Sequence, residues 1–344
     1  MRLGKTHLEV SRVGFGGLPI QRLQTSEAES VVRHAFDLGI NFFDTARAYP
    51  TSEKRIGNAL RSQRGRVVIA TKTLARDGTA ATADLRESLR ALRTEYIDLW
   101  QLHNVSTIKD YDGVTAPGGA LEAARRAVQR GDVRHVGLSS HSLEIADRAI
   151  RSGEFETVQV PFNTLSPEAS VDTLPCAASH NVGLIAMKPF AGGVIEEARL
   201  AIKYLLQFPT VLPIPGIERK QEIEEIVSLA RDAPLISPDE WEEIRRLRAR
   251  VGVRFCRRCG YCLPCPQGIP IPVVLHLEDM QRRVSASRFA KRGAEVAELA
   301  STCTQCGQCE NKCPYNLPIR MMLHSCLAFY ERICGHKVKE RQEM

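Results

Sequence analysis

Up to about residue 235 the chain alternates between two periods. Short β-branched and apolar runs read as strands: Arg12–Phe15, Asn41–Phe43, Val67–Thr71, Ile97–Gln101, Val133–Leu138, Thr157–Val160, Gly183–Met187 and Val211–Ile214. Between them lie amphipathic helical stretches, Ser26–Leu38, Glu53–Arg61, Ala81–Leu92, Ala120–Gln129, Leu143–Ile150 and Gln221–Ala230. Gly39, Gly65, Gly131 and Gly153 follow helical stretches, where a left-handed residue is wanted. Strands alternating with helices predict a parallel sheet, and eight is the number that closes a (β/α)8 barrel. A doubly wound sheet is the competitor, but Gly14-Phe15-Gly16-Gly17 lacks the third glycine of its fingerprint and no helix follows directly. Leu3–Val10 predicts a short hairpin capping the barrel floor. Residues 1–235 thus read as one barrel and 236–252 as a charged connecting helix that starts at Ser237-Pro238-Asp239-Glu240.

Beyond residue 252 the strand signal stops. Val273–Arg283 and Ala286–Ala300 read as helices, so 253–344 is expected to be a second, α-helical domain. It contains a repeat. Cys265-Pro-Gln-Gly-Ile-Pro-Ile-x3-Leu275-His276 matches Cys313-Pro-Tyr-Asn-Leu-Pro-Ile-x3-Leu323-His324. Pro270 and Pro318 each precede an apolar stretch, as at the first turn of a helix.

Composition changes little until charge is divided by domain. The chain has 344 residues, is 43% hydrophobic and carries a formal charge of +7. Residues 1–250 hold 33 basic and 32 acidic side chains, and the remainder hold 14 and 8. The excess, with Arg257, Arg258, Arg282, Arg283, Lys291, Arg292 and Lys312, therefore belongs to the second domain. Nucleic-acid binding would want aromatics interleaved with that charge, and they are missing. No apolar run reaches the length of a membrane span.

The second domain also holds most of the cysteine. Eight of eleven cysteines form two runs, Cys256-x2-Cys259-x2-Cys262-x2-Cys265-Pro266 and Cys303-x2-Cys306-x2-Cys309-x3-Cys313-Pro314. Three cysteines on successive short turns and a fourth before proline is how a chain wraps a cubane iron–sulfur cluster. The first run is one residue short before its last cysteine. Structural zinc prefers separated pairs. A secreted disulfide scaffold would not follow some 250 residues with a single cysteine, and no signal peptide is apparent. Two [4Fe–4S] clusters are expected, with the nearby basic side chains offsetting their negative charge. The runs resemble those of two-cluster ferredoxins, in which the fourth cysteine binds the other run's cluster. That resemblance implies one set of Cys256, Cys259, Cys262 and Cys313, and another of Cys303, Cys306, Cys309 and Cys265. His276 and His324 are expected to be ordinary helix residues, and Cys176, Cys326 and Cys334 to be free thiols in a reducing cytoplasm.

Active residues of a barrel sit where its strands end. The second strand ends Phe43-Asp44-Thr45-Ala46 with Tyr49 beyond it, the third ends at Lys72, and the fourth runs through Gln101-Leu102-His103. Each is ordinary alone; four at adjoining strand ends form a candidate site. On these residues the first 235 positions resemble an aldo-keto reductase. The resemblance implies Tyr49 as proton donor, Lys72 and Asp44 as the pair that tunes it, and His103 as the group orienting a carbonyl oxygen. An ammonium beside a phenol stabilises the phenolate and draws its pKa down from about 10. Hydride would come from NADPH or NADH.

Dinucleotide contacts implied by the same resemblance are Gly16, Gly17, Asp44, Ser139, Ser140, Gln159, Met187, Lys188, Pro189, Ile214, Gly216, Arg219, Lys220 and Glu225, with Asn163 following the strand 6 pattern. Three positions depart from the family. Ser140 replaces the usual asparagine, Met187 stands where an aromatic often stacks, and Glu222 aligns with the arginine that usually grips a 2′-phosphate. The loop Asn104–Pro117, with Tyr111, is expected to border the substrate.

Three functions follow from the sequence. One is an NAD(P)H-dependent reductase or dehydrogenase coupled to its clusters, with a small carbonyl or alcohol substrate and a protein electron carrier as partners. Another is the same enzyme with clusters that only brace the fold. The last is a nicotinamide-binding redox sensor or electron-transfer subunit without turnover.

Overall fold

The structure, a computed structural model, describes residues 1–195, 197–252, 254–258, 260–313 and 315–335. It divides into two compact units, Met1–Trp241 and Glu242–Met344.

In the first unit the strands are β1 (Phe15–Gly16), β2 (Phe42–Asp44), β3 (Val68–Thr73), β4 (Ile97–Leu102), β5 (Val133–Ser139), β6 (Thr157–Pro161), β7 (Gly183–Met187) and β8 (Val211–Pro213). All neighbours are parallel and in chain order. The amides of Gly14 and Gly16 donate to Pro213 and Pro215 carbonyls at 2.9 and 2.8 Å, joining β1 to β8 and closing the barrel. Around it lie α1 (Thr25–Asp37), α2 (Ser52–Leu60), α3 (Gly78–Leu92), α4 (Ile108–Thr115), α5 (Ala120–Arg130) and α6 (Leu143–Arg151). The ring continues with α7 (Thr173–Ser179), α8 (Ala198–Leu206) and α9 (Lys220–Asp232), and α10 (Pro238–Val251) follows.

Two details differ from the sequence expectation. The first strand is short and sits later, at Phe15–Gly16. The segment read as the loop Asn104–Pro117 contains α4, because Thr107 caps it by accepting the Asp110 amide at 3.0 Å while Tyr111 and Val114 turn inward. At the opposite end, a single Arg2–Glu9 bridge flanks a 3-10 turn over Gly4–Thr6.

Strand alternation puts every second side chain inside the barrel. Phe42, Val68, Ala70, Leu99, Ile185, Leu212 and Ile214 make one apolar cluster with Leu3 and Val10. Burying each large member contributes roughly 1.5–3 kcal/mol. One step further along the same parity the residues become polar: Asp44 after Phe42, Lys72 after Ala70, and Gln101 after Leu99. Gly137 faces this layer. A Cβ there would lie 2.2 Å from Thr157 Oγ1 and 3.1 Å from Gln101 Cγ, so only glycine leaves room for both.

α10 is fixed at its first turn. The Glu240 amide donates to Ser237 Oγ at 3.2 Å and the Ser237 amide to Glu240 Oε2 at 2.8 Å, a reciprocal cap. The same carboxylate receives Lys203 Nζ of α8 at 2.7 and 2.6 Å and pairs with Arg199.

The second unit is helical: α11 (Ile271–Val274), α12 (Leu277–Arg283), α13 (Ala286–Ser301), α14 (Gln308–Asn311) and α15 (Ile319–Cys334). Its core gathers Ile269, Ile271, Val274, Leu277, Phe289, Leu317, Ile319, Leu323 and Tyr330. The stretch expected as one helix over Val273–Arg283 is broken into α11 and α12. The repeat seen in sequence is also a repeat of backbone shape. Arg258 and Gln305 are left-handed at φ 62° and 57°, Gly260 and Gly307 at 85° and 74°, and Gly268 and Asn316 at 69° and 51°. Pro270 and Pro318 follow with φ/ψ of −77°/66° and −75°/69°.

Candidate active site and iron–sulfur module

At the C-terminal ends of β2, β3 and β4, Lys72 Nζ donates to both Asp44 oxygens at 2.6 and 2.7 Å and to the Thr45 carbonyl at 2.7 Å. Asp44 is 3% exposed and Lys72 1%. Burial pushes the Asp44 carboxyl up and the Lys72 ammonium down, each shift opposed by the partner's charge and hydrogen bonds. Three acceptors thus consume all three ammonium protons, which aims the charge as well as retaining it.

The β2–α2 loop brings Tyr49 to this pair. Its amide donates to the Ala46 carbonyl at 2.9 Å, and the Arg47 amide donates to the Lys72 carbonyl at 2.9 Å. Ser52 Oγ donates to the Gly17 carbonyl at 2.7 Å and accepts from Thr45 Oγ1 at 2.8 Å. Glu53, 2% exposed, accepts from Thr71 Oγ1 at 2.7 Å and pairs with Arg47. Lys72 Nζ then lies 5.6 Å from the Tyr49 ring centre. The His103 ring stands edge-on to Tyr49 with centres 6.0 Å apart. Burial, reinforced by the charges of Lys72 and Arg76, pushes the His103 imidazolium down from 6.5 to about 3, so the ring is neutral. Asp44, Tyr49, Lys72 and His103 are therefore brought together.

Among the expected dinucleotide contacts, Gln159 faces the same interior. Gln101 Nε2 donates to Gln159 Oε1 at 2.9 Å and approaches Asp44 Oδ1 at 3.5 Å. Gln101 was part of a motif in sequence without a role of its own; its inward parity, shared with Leu99 and His103, was the available signal. Ser139 Oγ accepts the Asn104 amide at 2.9 Å. Ser140 Oγ turns away, donating to the Ser142 carbonyl at 2.9 Å at the start of α6. Asn163 is occupied locally, donating to the Lys188 carbonyl at 2.9 Å and accepting the Leu165 amide at 2.9 Å. Gly16 and Gly17 are needed for close strand packing, since a Cβ would lie 2.6 Å from Pro215 O and 2.8 Å from Asp44 O respectively. Met187 ends β7, followed by the left-handed Lys188 and then Pro189. Ile214 and Gly216 follow β8, with Pro19 Cγ where a Gly216 Cβ would sit, at 2.8 Å. Arg219 and Lys220 open α9, and Glu225 is exposed on it.

In the second unit a hollow is lined by Cys262, Cys265, Cys303, Cys306 and Cys309, together with Ile269, Ile271, Leu323 and Arg320. Arg320 is fixed by Glu310 through bonds of 2.9 Å from Nε and 2.9 Å from its own amide. Thiols around an apolar wall with a held cation suit an anionic cluster. Cys256 and Cys262 are buried, Cys313 half-buried and Cys306 exposed; Cys259 lies outside the described residues. Cys326 is pushed up to about 11, mainly by burial, as expected of an inert thiol.

Asp44, Tyr49, Lys72 and His103 gather at the C-terminal rim of a parallel barrel, the end where barrels carry their sites. The model of the aldo/keto reductase family matches residues 12–200, and that of a 4Fe-4S dicluster domain matches residues 255–318. The chain belongs to the aldo-keto reductase family and carries a 4Fe-4S dicluster domain. It is 31% identical over 243 residues to the oxidoreductase Rv2298 of Mycobacterium tuberculosis, covering 65% of this chain and 72% of that one. L-galactose dehydrogenase of Arabidopsis thaliana is 30% identical, with 57% of this chain and 66% of that one covered. In fold, the barrel is similar to an aldo-keto reductase from Klebsiella pneumoniae in complex with NADPH, at 23% identity and TM-score 0.63, covering 72% and 94% of the two chains.

Proposed function

We propose that the chain moves a hydride between NADH or NADPH and a small carbonyl or alcohol, with Tyr49 as acid and base, in a reaction coupled to two [4Fe–4S] clusters. The observation that carries this is the buried Lys72–Asp44 pair, held by three bonds of 2.6–2.7 Å beside the Tyr49 ring and a neutral His103. Bound nicotinamide supplies or takes hydride, and a cubane cluster exchanges single electrons. The residues do the rest. Lys72 favours the phenolate of Tyr49, so the phenol releases its proton to an oxygen that is becoming an alkoxide. Asp44 holds Lys72 in place. A neutral imidazole can donate a ring N–H to the same oxygen without adding charge. Gln101, by fixing Gln159 Oε1, leaves the Gln159 amide nitrogen to donate to a carboxamide.

In the second unit Cys265 and Cys262 line one hollow with Cys303, Cys306 and Cys309; the place of Cys265 there supports the crossed ligand set. The complementary set would be Cys256, Cys259, Cys262 and Cys313. An acidic protein carrier in the cytoplasm would suit the basic excess of this domain.

Tyr49→Phe tests the acid. It is expected to lower kcat/KM for carbonyl reduction about 10²–10⁴-fold while leaving dinucleotide affinity in place; unchanged turnover would refute the assignment. Coupling is tested by adding NADH or NADPH anaerobically, with and without a carbonyl, and following cluster absorbance. Bleaching is expected, and its absence leaves the clusters as braces of the fold.

A further inference from the structure

His103 is held in an unusual way. Its Nδ1 is buried and, among the described residues, makes no hydrogen bond. Working histidines are commonly oriented by a carboxylate or carbonyl on that nitrogen. Here the hold is on the main chain instead. The His103 amide donates to the Thr73 carbonyl at 2.8 Å. Arg76, in the loop between β3 and α3, donates from Nη1 to the His103 carbonyl and from Nη2 to the Asn104 carbonyl, both at 2.9 Å. Asn104 is left-handed, at φ 53°, and the carbonyls of both residues meet this one guanidinium. Arg76 Nε also reaches Asp110 of α4 at 3.0 Å, and Nη1 approaches the Leu74 carbonyl at 3.3 Å. The loop that carries Arg76 is itself tied down. The Ala120 amide donates to the Arg76 carbonyl at 2.9 Å, and the Gly78 amide to the Gly118 carbonyl at 2.8 Å.

We infer that Arg76 is a positioning residue for the carbonyl chemistry: its guanidinium fork fixes the end of β4 and so sets where the His103 imidazole stands. A guanidinium suits this task, because its rigid, planar donors meet two carbonyls and a carboxylate at once. Its charge acts on the same ring. Facing His103 are Lys72 from β3, the Tyr49 phenol from the β2–α2 loop and Arg76, with Asp44 and Asp110 behind the two cations as their partners. Both cations disfavour an imidazolium and add to the effect of burial. With Nδ1 unpartnered, the neutral ring keeps its proton on Nε2, since a buried lone pair costs less to leave unpaired than a buried N–H. Nε2–H is then the donor to the substrate oxygen. The inference rests on the proposed reductase reading and deepens it.

The test is reduction of 4-nitrobenzaldehyde by the full, cluster-loaded chain under anaerobic conditions, comparing the parent with Arg76→Gln and Arg76→Lys. R76Q is expected to lower kcat about 10–100-fold while moving dinucleotide affinity, read by nicotinamide fluorescence, less than about threefold. On the acid side its activity should begin to fall at a higher pH than the parent's, because one of the two cations facing His103 is gone. R76K keeps the charge and loses the fork, so it should keep the parent's acid limb and recover only part of kcat. A loss below about twofold in R76Q, full recovery in R76K, or an equal loss in both with the acid limb unmoved each overturns the inference. Should R76Q not fold, or the parent not accept this aldehyde, the ring of the parent chain decides. The imidazole 15N signal that is missing from His103→Gln should be that of a neutral Nε2–H ring at about pH 5, and an Nδ1–H or charged ring overturns the inference. A parent chain that binds neither NADH nor NADPH overturns the reductase reading and the inference together.

Discussion

Lys72 is enclosed by its own acceptors, and that sets what its removal costs. In Lys72→Met the Asp44 carboxylate stays buried after losing its ammonium, with Gln101 3.5 Å away as a neutral donor side chain. Breaking a buried pair from one side typically costs about 3–5 kcal/mol. Urea unfolding should show a loss of that order, and Lys72→Met/Asp44→Leu should recover much of it while remaining inactive. His103 gives a prediction in pH. Its folded value of about 3 lies below its ordinary 6.5, so between them the unfolded chain binds the extra proton. This contribution is present in full above pH 6.5 and is lost as pH falls toward 3. His103→Gln should therefore flatten the decline of the urea midpoint across that window, relative to the parent chain.

At the scale of elements, the barrel was legible because strand parity repeats eight times, and Asp44, Lys72 and His103 were legible because each ends an apolar strand. What escaped reading depends on partners distant in sequence. The Gln101–Gln159 bond spans 58 positions and needs β5 to place β4 and β6 on either side of it. Helix α4 escaped because eight residues, Ile108–Thr115, carry too few apolar positions to establish a period. The Glu222 bonds to the Glu218 and Arg219 amides escaped as well, since a capping bond reveals itself only in three dimensions. Gly137 yields an elemental prediction. Gly137→Ala forces a Cβ to 2.2 Å from Thr157 Oγ1 and should cost about 1–3 kcal/mol. Among the described residues Thr157 Oγ1 is buried without a hydrogen-bond partner, so adding Thr157→Ala should restore part of the thermal midpoint.

For the whole molecule, two units with different chemistry share one chain, and the cysteine loops of the second are the most readily tested part. Under crossed ligation, Cys265→Ser should damage the cluster of Cys303, Cys306 and Cys309 rather than that of its own run. Iron analysis and low-temperature EPR of the reduced protein would then show one intact cluster. Damage to the other cluster would assign Cys265 to its own run instead.

The matched left-handed positions, Arg258 with Gln305 and Gly268 with Asn316, keep one backbone shape under different side chains. Such fidelity points to duplication of a single loop-and-helix segment. If each copy lends its last sulfur to the other, the ancestral segment could not have completed a cube alone. On that ligation each cube needs both copies, and joining them in tandem makes the partnership intramolecular.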